Sequence, residues 1–199
     1  TLTFLAARHP QLTFGHSVVC QSFRNPALVA LMGASLQFLS GGRYVLGLGA
    51  GWHEAEHTAY GYRFPPAGER VDQLAEALEI IMSLWKGGPV AFQGRHYRVE
   101  GARCEPAPWP RPPVMLGAFG PRMLQLTARY ADWWNASSIG PDEYLRLSRA
   151  LDEACAATHL APLVTALLDA GVAERGDKAA RAVDARVTTA TEEDWATEY

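Results

Sequence analysis

The sequence predicts an α/β fold in which parallel strands alternate with helices. A β-rich run at residues 11–20 leads into a helical pattern, and a nearly continuous apolar strand, RYVLGLGA, leads into a second one. Unbroken apolar strands are typical of parallel sheets that are covered on both faces. Strands and helices that alternate through short loops imply right-handed crossovers. An open doubly wound sheet and a (β/α)8 barrel both fit, and both bind ligands at the carboxyl ends of their strands.

The first elements are a helical segment, TLTFLAARHP, and the β-rich run QLTFGHSVVC. Asn25 then suits the N-cap of a helix, and Pro26 suits its first position. Apolar residues recur at helical spacing until Gly41-Gly42, which predicts the end of this helix. The residues at this spacing are Leu28, Leu31, Met32, Ser35, Leu36 and Leu39.

The helix that follows RYVLGLGA is the clearest element in the sequence. Its apolar positions fall on one stripe, and Gly87-Gly88 ends it. The stripe consists of Val71, Leu74, Ala75, Leu78, Ile81, Met82 and Trp85. The next residues, PVAFQGRHYRVEG, predict a small β-hairpin with strands Val90–Phe92 and His96–Val99.

The alternation resumes after a proline-rich connector, EPAPWPRPP. VMLGAF predicts a strand, Gly120-Pro121 opens a helix through Tyr130, and ADWWNAS predicts a strand before a helix at 142–158. We expect residues 1–158 to form one domain. Residues 159–199 differ in character, and we expect them to be mainly helical, with a helix near Leu163–Val172.

Composition narrows the classes of function. The 199 residues carry a net charge of −3, so they offer no basic surface for a nucleic-acid backbone. No apolar run reaches the roughly 20 residues of a membrane-spanning helix. Cys20, Cys104 and Cys155 show no C-x-x-C spacing, and we interpret them as small buried side chains in a reducing compartment. We therefore expect a cytoplasmic protein without nucleic-acid or membrane partners.

A short motif at residues 53–57, HEAEH, matches the zinc-hydrolase pattern H-E-x-x-H. That chemistry needs His53 and His57 on a long helix, Glu54 as general base and a third ligand elsewhere. No third histidine follows at the extended spacing, and Glu76, the remaining candidate, lies on the polar side of its helix. We expect no metal site here and keep a zinc-dependent hydrolase as a less favoured alternative.

Four sequence blocks together resemble the bacterial luciferase-like monooxygenases. They are GHSVVCQSFRNPALVA, LSGGRYVLGLGAGWHEAEHTAYGYRFPPAGERVDQLAEALEIIMSLW, FQGRHYRVEG and PPVMLGAFGPRMLQLTARYADWWNAS, in the order found in that family. The blocks span about residues 11–137, and the F420-dependent branch is the most similar. The resemblance implies a (β/α)8 TIM-barrel type of fold that is incomplete here, with about strands 3 to 6 of the barrel present.

By this resemblance, the block GHSVV supports one face of a tricyclic cofactor ring. In the family the strand ends in a bulge, often with a non-prolyl cis peptide, and the matching bond here is Ser17-Val18. We therefore expect Ser17 and Val18 to contact the cofactor. His16 precedes the bulge and is a catalytic candidate. The alternative is that these residues simply end a strand.

The glycine-rich end of RYVLGLGAGWH is expected to line the same cavity. Its glycines alternate, and bare backbone at a strand end allows a ligand to approach closely. We expect Ala50, Gly51 and Trp52 to bind the cofactor, and His53 to donate a hydrogen bond as a second catalytic candidate. By the resemblance, Trp52 stands where the family's sugar-phosphate dehydrogenase has a catalytic acid, which favours an apolar or aromatic substrate; the alternative is that Trp52 packs at the top of the barrel.

A third part of the site follows the strand VMLGAF, where a helix begins at Pro121. Free backbone N–H groups and the helix dipole make such a junction an anion site. The resemblance implies that the cofactor phosphate binds here, and Arg122 could add a charge-assisted contact. The predicted phosphate-loop residues are Gly117, Ala118, Phe119 and Gly120.

Other recurrent positions are interpreted as structural. Arg43, Glu69 and Arg70 are expected to form ion pairs that stabilise the barrel, and Trp133-Trp134 to pack in the core. Asn135 ends a strand and is a further candidate for the cavity wall.

The resemblance implies a two-electron oxidoreductase that acts on a small organic substrate. Coenzyme F420 with hydride transfer is the expected chemistry, and FMN with oxygenation of the substrate is the alternative. A non-catalytic or partner-requiring barrel fragment is a second alternative, because a partial barrel leaves strand edges unpaired. We also expect a homo-oligomer, namely a dimer.

Overall fold

Strands and helices alternate along the chain, as the sequence predicts. The structure is a computed structural model, which describes residues 1–158 and 164–165. The elements are α1 (Leu2–Arg8), β1 (Phe14–Gly15), β2 (Val19–Cys20), the 3-10 helix Gln21–Phe23, α2 (Pro26–Leu39), β3 (Tyr44–Gly49), α3 (Glu54–Ala59), α4 (Ala67–Trp85), β4 (Val90–Gln93), β5 (Arg98–Ala102), β6 (Val114–Gly117), α5 (Pro121–Tyr130), β7 (Trp133–Asn135), α6 (Pro141–Ala157) and β8 (Val164–Thr165).

A parallel sheet forms the centre of the fold. Its strands lie in the order β1-β3-β6-β7-β8, and β2 also pairs with β3. All of these pairings are parallel, so the carboxyl ends of the strands lie at a common edge. The described residues do not close a barrel, and within them β1 pairs with β3 alone. The antiparallel hairpin of β4 and β5 lies outside this sheet and confirms the predicted hairpin.

β1 and β2 are two parts of one strand that is interrupted by a bulge. Phe14 pairs with Tyr44 and Val19 pairs with Leu48, so five residue steps on this strand match four on β3 (19 − 14 = 5; 48 − 44 = 4). The Ser17-Val18 peptide bond within the bulge is cis. The bulge and its cis bond are therefore present where the family resemblance implies them.

The alternating glycines of β3 make room for this bulge. A Cβ at Gly47 would lie 1.7 Å from the His16 carbonyl oxygen, and one at Gly49 would lie 2.8 Å from a methyl group of Val18. From the sequence, this space is expected to admit an approaching ligand. The structure corrects that interpretation at Gly47, which the protein's own chain approaches, whereas Gly49 both contacts Val18 and lines the cavity described below.

α2 begins as predicted but buries a different face. The Asn25 side chain accepts a hydrogen bond from the Ala27 N–H, as an N-cap does. The apolar residues singled out from the spacing are largely exposed, Leu28, Leu31, Met32 and Leu39 among them. The buried residues are Pro26, Val29, Ala30, Gly33, Ala34, Leu36 and Gln37. Small residues face α4 because a Cβ at Gly33 would already lie 2.9 Å from the Trp85 ring.

α4 covers the sheet with the predicted stripe. Leu74, Leu78 and Ile81 are almost fully buried in a cluster that includes β3 and β6. The Trp85 indole N–H donates to the Ala30 carbonyl at 2.9 Å, which ties α4 to α2. A second cluster forms around Trp134, which is fully buried between α5 and α6. None of the helices in the described ranges is long and apolar enough to cross a membrane.

The short strand β8 corrects one expectation near the end of the chain. Val164 and Thr165 pair with β7 in parallel, where the sequence analysis placed the start of a helix. The rest of that predicted helix, and most of the segment 159–199, lies outside the described residues. The division into a barrel domain and a helical segment stays a prediction.

Candidate functional site

A cavity of about 570 Å³ opens at the carboxyl edge of the sheet. Its volume lies within the range of roughly 300–1,000 Å³ that is common for ligand pockets. The lining comes from the bulge, the ends of β3, β6 and β7, and the starts of α4 and α5. The predicted site residues that line it are Ser17, Val18, Ala50, Gly51, Trp52, His53, Gly117, Phe119 and Gly120.

Ser17 and Asn135 meet at the cavity, although β3 and β6 lie between their strands in the sheet. The Asn135 side-chain amide donates to the Ser17 hydroxyl at 2.6 Å, and its carbonyl accepts from the Ser137 N–H at 3.0 Å. Strand ends this far apart in the sheet meet only if the sheet is strongly curved, as in a barrel wall. Asn135 therefore fixes the bulge from the opposite wall.

Gly51 occupies a position that glycine alone fits well. Its φ is +84°, in the left-handed region. A Cβ there would lie 2.7 Å from the Cys20 sulfur and 3.2 Å from the His57 ring. The Arg70 Nε donates to the Gly51 carbonyl at 3.1 Å and holds the loop in place. The adjacent Trp52 is 82% exposed at the cavity mouth.

The two histidines of the HEAEH motif make other contacts among the residues described. His53 is the N-cap of α3, and its Nδ1 accepts from the Glu56 N–H at 3.3 Å. His57 uses its Nδ1 to donate to the His53 carbonyl at 2.9 Å, and its Nε2 lies 3.7 Å from the Cys20 sulfur. Within the described ranges, no three metal-binding side chains come together. The donor geometry of these residues therefore gives the zinc-hydrolase alternative no support.

Glu76, the candidate third ligand, has a structural role instead. Its carboxylate accepts backbone N–H groups from Arg95, His96 and Tyr97 at 2.7, 2.9 and 2.9 Å, which caps the turn of the β4–β5 hairpin. Partial burial acts to raise the pKa of Glu76, but these three donors outweigh it. The pKa of Glu76 is therefore lower than its ordinary value.

The loop between β6 and α5 has the geometry expected of an anion site. Gly120 is the N-cap of α5, without a side-chain cap, and Pro121 takes the first helical position. A Cβ at Gly120 would meet no atom within 4 Å. The start of a ten-residue helix thus faces open space with free backbone N–H groups, which favours a phosphate.

Two of the predicted cofactor contacts do not line the cavity. Ala118 is buried in the wall, where its carbonyl accepts from the Trp134 indole at 2.8 Å. Arg122 is not among the lining residues; it donates to the carboxylate of Asp72 and to the Gly68 carbonyl, the latter at 3.3 Å. Its charge is already paired, so the sequence-based assignment of Arg122 to the phosphate is not supported by its placement.

His16 also lies in the wall rather than in the lining. Its Nδ1 is 3.2 Å from the Tyr44 hydroxyl, within the core side of the bulge. Burial, followed by the positive charge of Arg24, lowers the pKa of His16. His16 therefore contacts a buried tyrosine, and of the two catalytic candidates His53 is the one that lines the cavity.

Within residues 1–158, Arg43 and Arg70 do not form the expected ion pairs. Arg43 donates to backbone carbonyls, among them those of Ala6, His9 and Ser40. Arg70 donates to the Gly51 and Pro65 carbonyls and stacks 4.0 Å above the Phe64 ring centroid. Glu69 does form an ion pair, with Arg63 at 3.8 Å.

Sequence reasoning missed several residues that line the cavity. They are Cys20, Glu56, His57, Ala67, Arg70, Val71, Met123 and Ser137. Arg70 and Val71 lie near the start of α4, the helix that follows β3 and the short helix α3, and that position was the available signal. Cys20 and His57 are 37 positions apart in the sequence, and no local sequence pattern predicts their contact.

These observations define a class of protein, namely an α/β chain whose curved parallel sheet carries one cofactor-sized cavity at its carboxyl edge. The family of luciferase-like monooxygenases matches residues 1–198. The chain belongs to this family. The resemblance carried by the four sequence blocks is thereby confirmed.

This chain aligns with only part of each of two curated relatives. An F420-dependent hydroxymycolic acid dehydrogenase from Mycobacterium tuberculosis is 36% identical over 139 residues, which are 69% of this chain and 38% of that protein. An F420-dependent glucose-6-phosphate dehydrogenase from Microbacterium testaceum is 35% identical over 152 residues, 75% of this chain and 45% of that protein. The chain therefore spans less than half the length of these two relatives.

A solved structure shows the same fold. The coenzyme F420 dependent tetrahydromethanopterin reductase from Methanopyrus kandleri aligns with a TM-score of 0.75 and 23% identity, over 83% of this chain and 52% of that one. The described chain thus has the fold of part of a luciferase-like TIM barrel. The predicted fold class, an incomplete (β/α)8 barrel, is confirmed.

One further match is of a different kind. A stretch of 49 residues, 25% of this chain, is 78% identical to the gamma-glutamyl phosphate reductase of Methylobacterium radiotolerans and covers 11% of that protein. So small a share of another protein transfers no activity to this chain.

Proposed function

We propose that this chain supplies the cofactor-binding edge of a luciferase-like oxidoreductase that uses coenzyme F420 to transfer hydride to or from a small organic substrate. The proposal rests on one observation: Ser17, Gly51 and Gly120 all line a single cavity. F420 is favoured over FMN because both curated relatives described above are F420-dependent. The coarser assignment, an oxidoreductase, rests on the family.

The residues of the cavity fit a tricyclic ring with a phosphate tail. Val18 and Met123 offer apolar contacts, and Gly117 leaves the strand end bare for a flat ring. The start of α5 beyond Gly120 offers free N–H groups for a phosphate. When bound, the cofactor supplies hydride transfer at its ring. The protein's own contribution is to orient the reactants and to exclude water.

His53 is the residue to which we assign proton donation. Because its Nδ1 accepts the Glu56 N–H, the neutral ring carries its proton on Nε2. That N–H can donate to a polar atom of a substrate in the cavity that His53 lines. The hydrogen bond that caps the N-terminus of α3 therefore also fixes the tautomer of His53.

Two aromatic side chains support an apolar or aromatic substrate. Trp52 and Phe119 line the cavity and remain exposed at its mouth, 82% and 47% respectively. Exposed aromatic rings at a cavity mouth gain contact area when an apolar ligand covers them.

Within this proposal, the dimer, the cytoplasmic location and the absence of nucleic-acid and membrane partners stay predictions.

A partner-requiring barrel fragment is the second candidate. The outer edge of β1 has no strand partner among the residues described, and an unpaired edge favours association with another strand. The alignment with the tetrahydromethanopterin reductase also covers only 52% of that structure. On this alternative, the purified chain would bind no cofactor until the remaining strands are supplied.

Separate equilibrium titrations of the purified chain with F420 and with FMN test the proposal. We expect saturable binding of F420 at one site per chain, seen as quenching of the cofactor's fluorescence, with FMN binding more weakly. Exclusive binding of FMN would replace the cofactor assignment. Binding of neither cofactor would favour the partner-requiring fragment.

A further inference from the structure

The three cysteines of this chain lie in different environments. Cys104 and Cys155 are 1% and 3% exposed, and both lie in the apolar clusters of the core. Cys20 is only partly buried and lines the cavity. Of these thiols, Cys20 is therefore the one that a molecule entering the cavity can reach. The sequence-based interpretation of all three as buried side chains is wrong for Cys20.

Cys20 is paired with a histidine whose tautomer is fixed. The Nδ1 of His57 lies 2.9 Å from the His53 carbonyl oxygen, which can only accept, so Nδ1 carries the proton. The Nε2 of the neutral ring then has a free lone pair, and it lies 3.7 Å from the Cys20 sulfur. The thiol therefore donates to Nε2. A nucleophile, an adjacent base and a group that orients the base are the three parts of an activated thiol.

The surroundings hold this pair rigidly. His57 is 1% exposed, with Phe23 and Phe64 packed against its ring at centroid distances of 4.7 and 4.9 Å. Gly51 lies against both members of the pair and leaves no room for a side chain. The imidazole cannot swing away from the sulfur without displacing these neighbours.

We propose that Cys20 and His57 form a reactive thiol site in the cavity, which adds soft carbon electrophiles such as α,β-unsaturated carbonyl compounds. The sulfur forms a bond to the β-carbon while the carbon–carbon π bond breaks. The thiol proton passes to Nε2 of His57 and from there to the α-carbon. The step is a net addition, so no oxidant, reductant or metal takes part.

The adduct has a consequence for the proposed cofactor site. Cys20 shares the cavity with Ser17 and Gly51, so a group attached to its sulfur occupies space that the cofactor would need. This consequence, unlike the reactivity of the thiol, rests on the proposed function. Bound F420 should in turn shield Cys20 from the electrophile.

The test measures the rate of adduct formation with methyl vinyl ketone at neutral pH by intact-mass and peptide mass spectrometry. Cys104 and Cys155 are internal controls, and N-acetylcysteine in the same solution gives the rate of a free thiol. We expect one adduct per chain, located at Cys20 and formed about tenfold faster than on N-acetylcysteine. Cys20→Ser should abolish this fast adduct. Labelling of Cys20 no faster than the free thiol would overturn the proposal.

His57→Gln tests the role of the imidazole, with circular dichroism to show that the variant is folded. A folded His57→Gln variant should lose about tenfold in labelling rate, and an unchanged rate would contradict the pairing. If this variant does not fold, the comparison of wild-type Cys20 with N-acetylcysteine decides alone.

Addition of F420 separates this inference from the proposed function. Fast, His57-dependent labelling that F420 does not slow would leave the thiol site standing and count against cofactor binding in this cavity. Saturable F420 binding together with an unreactive Cys20 would support cofactor binding in this cavity and overturn the reactive thiol site.

Discussion

Glycine leaves space in two regions of this molecule, and the space is used differently. In the β4–β5 hairpin, a Cβ at Gly94 would lie 2.3 Å from a carboxylate oxygen of Glu76, so the protein's own side chain fills the gap. At the start of α5, a Cβ at Gly120 would meet no atom within 4 Å, and the gap opens into the cavity. The sequence does not distinguish these two glycines, and only the tertiary structure shows which one lies against a side chain and which one faces the cavity.

Gly51 combines both situations. Cys20 and His57 contact the position where its side chain would be, and the residue also lines the cavity. Mutations in the hairpin should therefore change only the stability of the fold. Mutations at the start of α5 should mainly weaken cofactor binding, and mutation of Gly51 should affect both stability and binding.

The largest effect is expected for Gly51→Ala. The positive φ and the contact with the Cys20 sulfur should together lower the free energy of unfolding by about 3 kcal/mol. F420 binding should be lost as the loop moves. Urea unfolding and fluorescence titration measure the two effects.

The matched control for this variant is Gly61→Ala. Gly61 has a similar φ of +73°, but a Cβ there would meet no atom within 4 Å. It should lose only the backbone preference, about 1 kcal/mol, and keep its affinity for F420. Equal losses in the two variants would show that crowding at Gly51 has no effect.

The next effect in size is on binding at the start of α5. Gly120→Leu places a side chain over the free N–H groups and should weaken F420 binding about 30-fold, which is roughly 2 kcal/mol. Gly140→Leu is the control, because Gly140 is also an N-cap before a proline, with open space around it, and does not line the cavity. Titration of both variants should separate them. A similar loss of affinity in Gly140→Leu would contradict a local phosphate site.

A smaller effect, on stability alone, is expected in the hairpin. Glu76→Gln weakens three hydrogen bonds to backbone N–H groups and should lower the free energy of unfolding by about 1.5 kcal/mol without changing F420 affinity. Glu79→Gln, at an exposed position of the same helix, should change stability by less than about 0.5 kcal/mol. A loss of F420 affinity in Glu76→Gln would break the distinction between the two regions.

The same carboxylate gives a pH dependence. The pKa of Glu76 is lower in the folded than in the unfolded state, so its contribution to stability is present above the unfolded pKa and is lost as pH falls through the folded pKa. The stability difference between wild type and Glu76→Gln should therefore shrink as pH falls below about 4.3. Urea unfolding at a series of pH values measures this, and a difference that grows towards acid would contradict the sign.

The smallest effect is expected for Arg122→Gln. Because Arg122 is paired with Asp72 on the surface, its removal should change F420 affinity by less than about threefold and stability by less than about 1 kcal/mol. A tenfold loss of affinity would show that Arg122 leaves Asp72 to bind the phosphate, as the sequence alone suggested.

Local patterns predicted most of the fold. The N-cap at Asn25 and the apolar stripe of α4 correctly predicted the helices α2 and α4, because capping and helical periodicity are local properties of the sequence. The buried face of α2 was not predictable from hydropathy, because Gly33 and Ala34 face α4 for their small size while Leu31 remains exposed.

The cavity was predictable where it consists of strand-end loops. Gly51 and Gly120 follow strands directly, and the strands of a parallel sheet deliver such loops to one edge. The contacts of Arg70 with Gly51 and of Cys20 with His57 depend on how distant elements pack, and neither has a sequence signature. The assignment of Arg122 to the phosphate rested on its position alone, and position does not predict its ion pair with Asp72 of a neighbouring helix.

Backbone amide NMR of the 199-residue chain during titration with F420 tests the central claim most directly. We expect the amide signals of Ser17, Gly51 and Gly120 to shift together with one dissociation constant, while that of Gly94 in the hairpin stays in place. Signals that shift in the hairpin, or strand-end signals that stay unchanged while F420 binds, would contradict the claim.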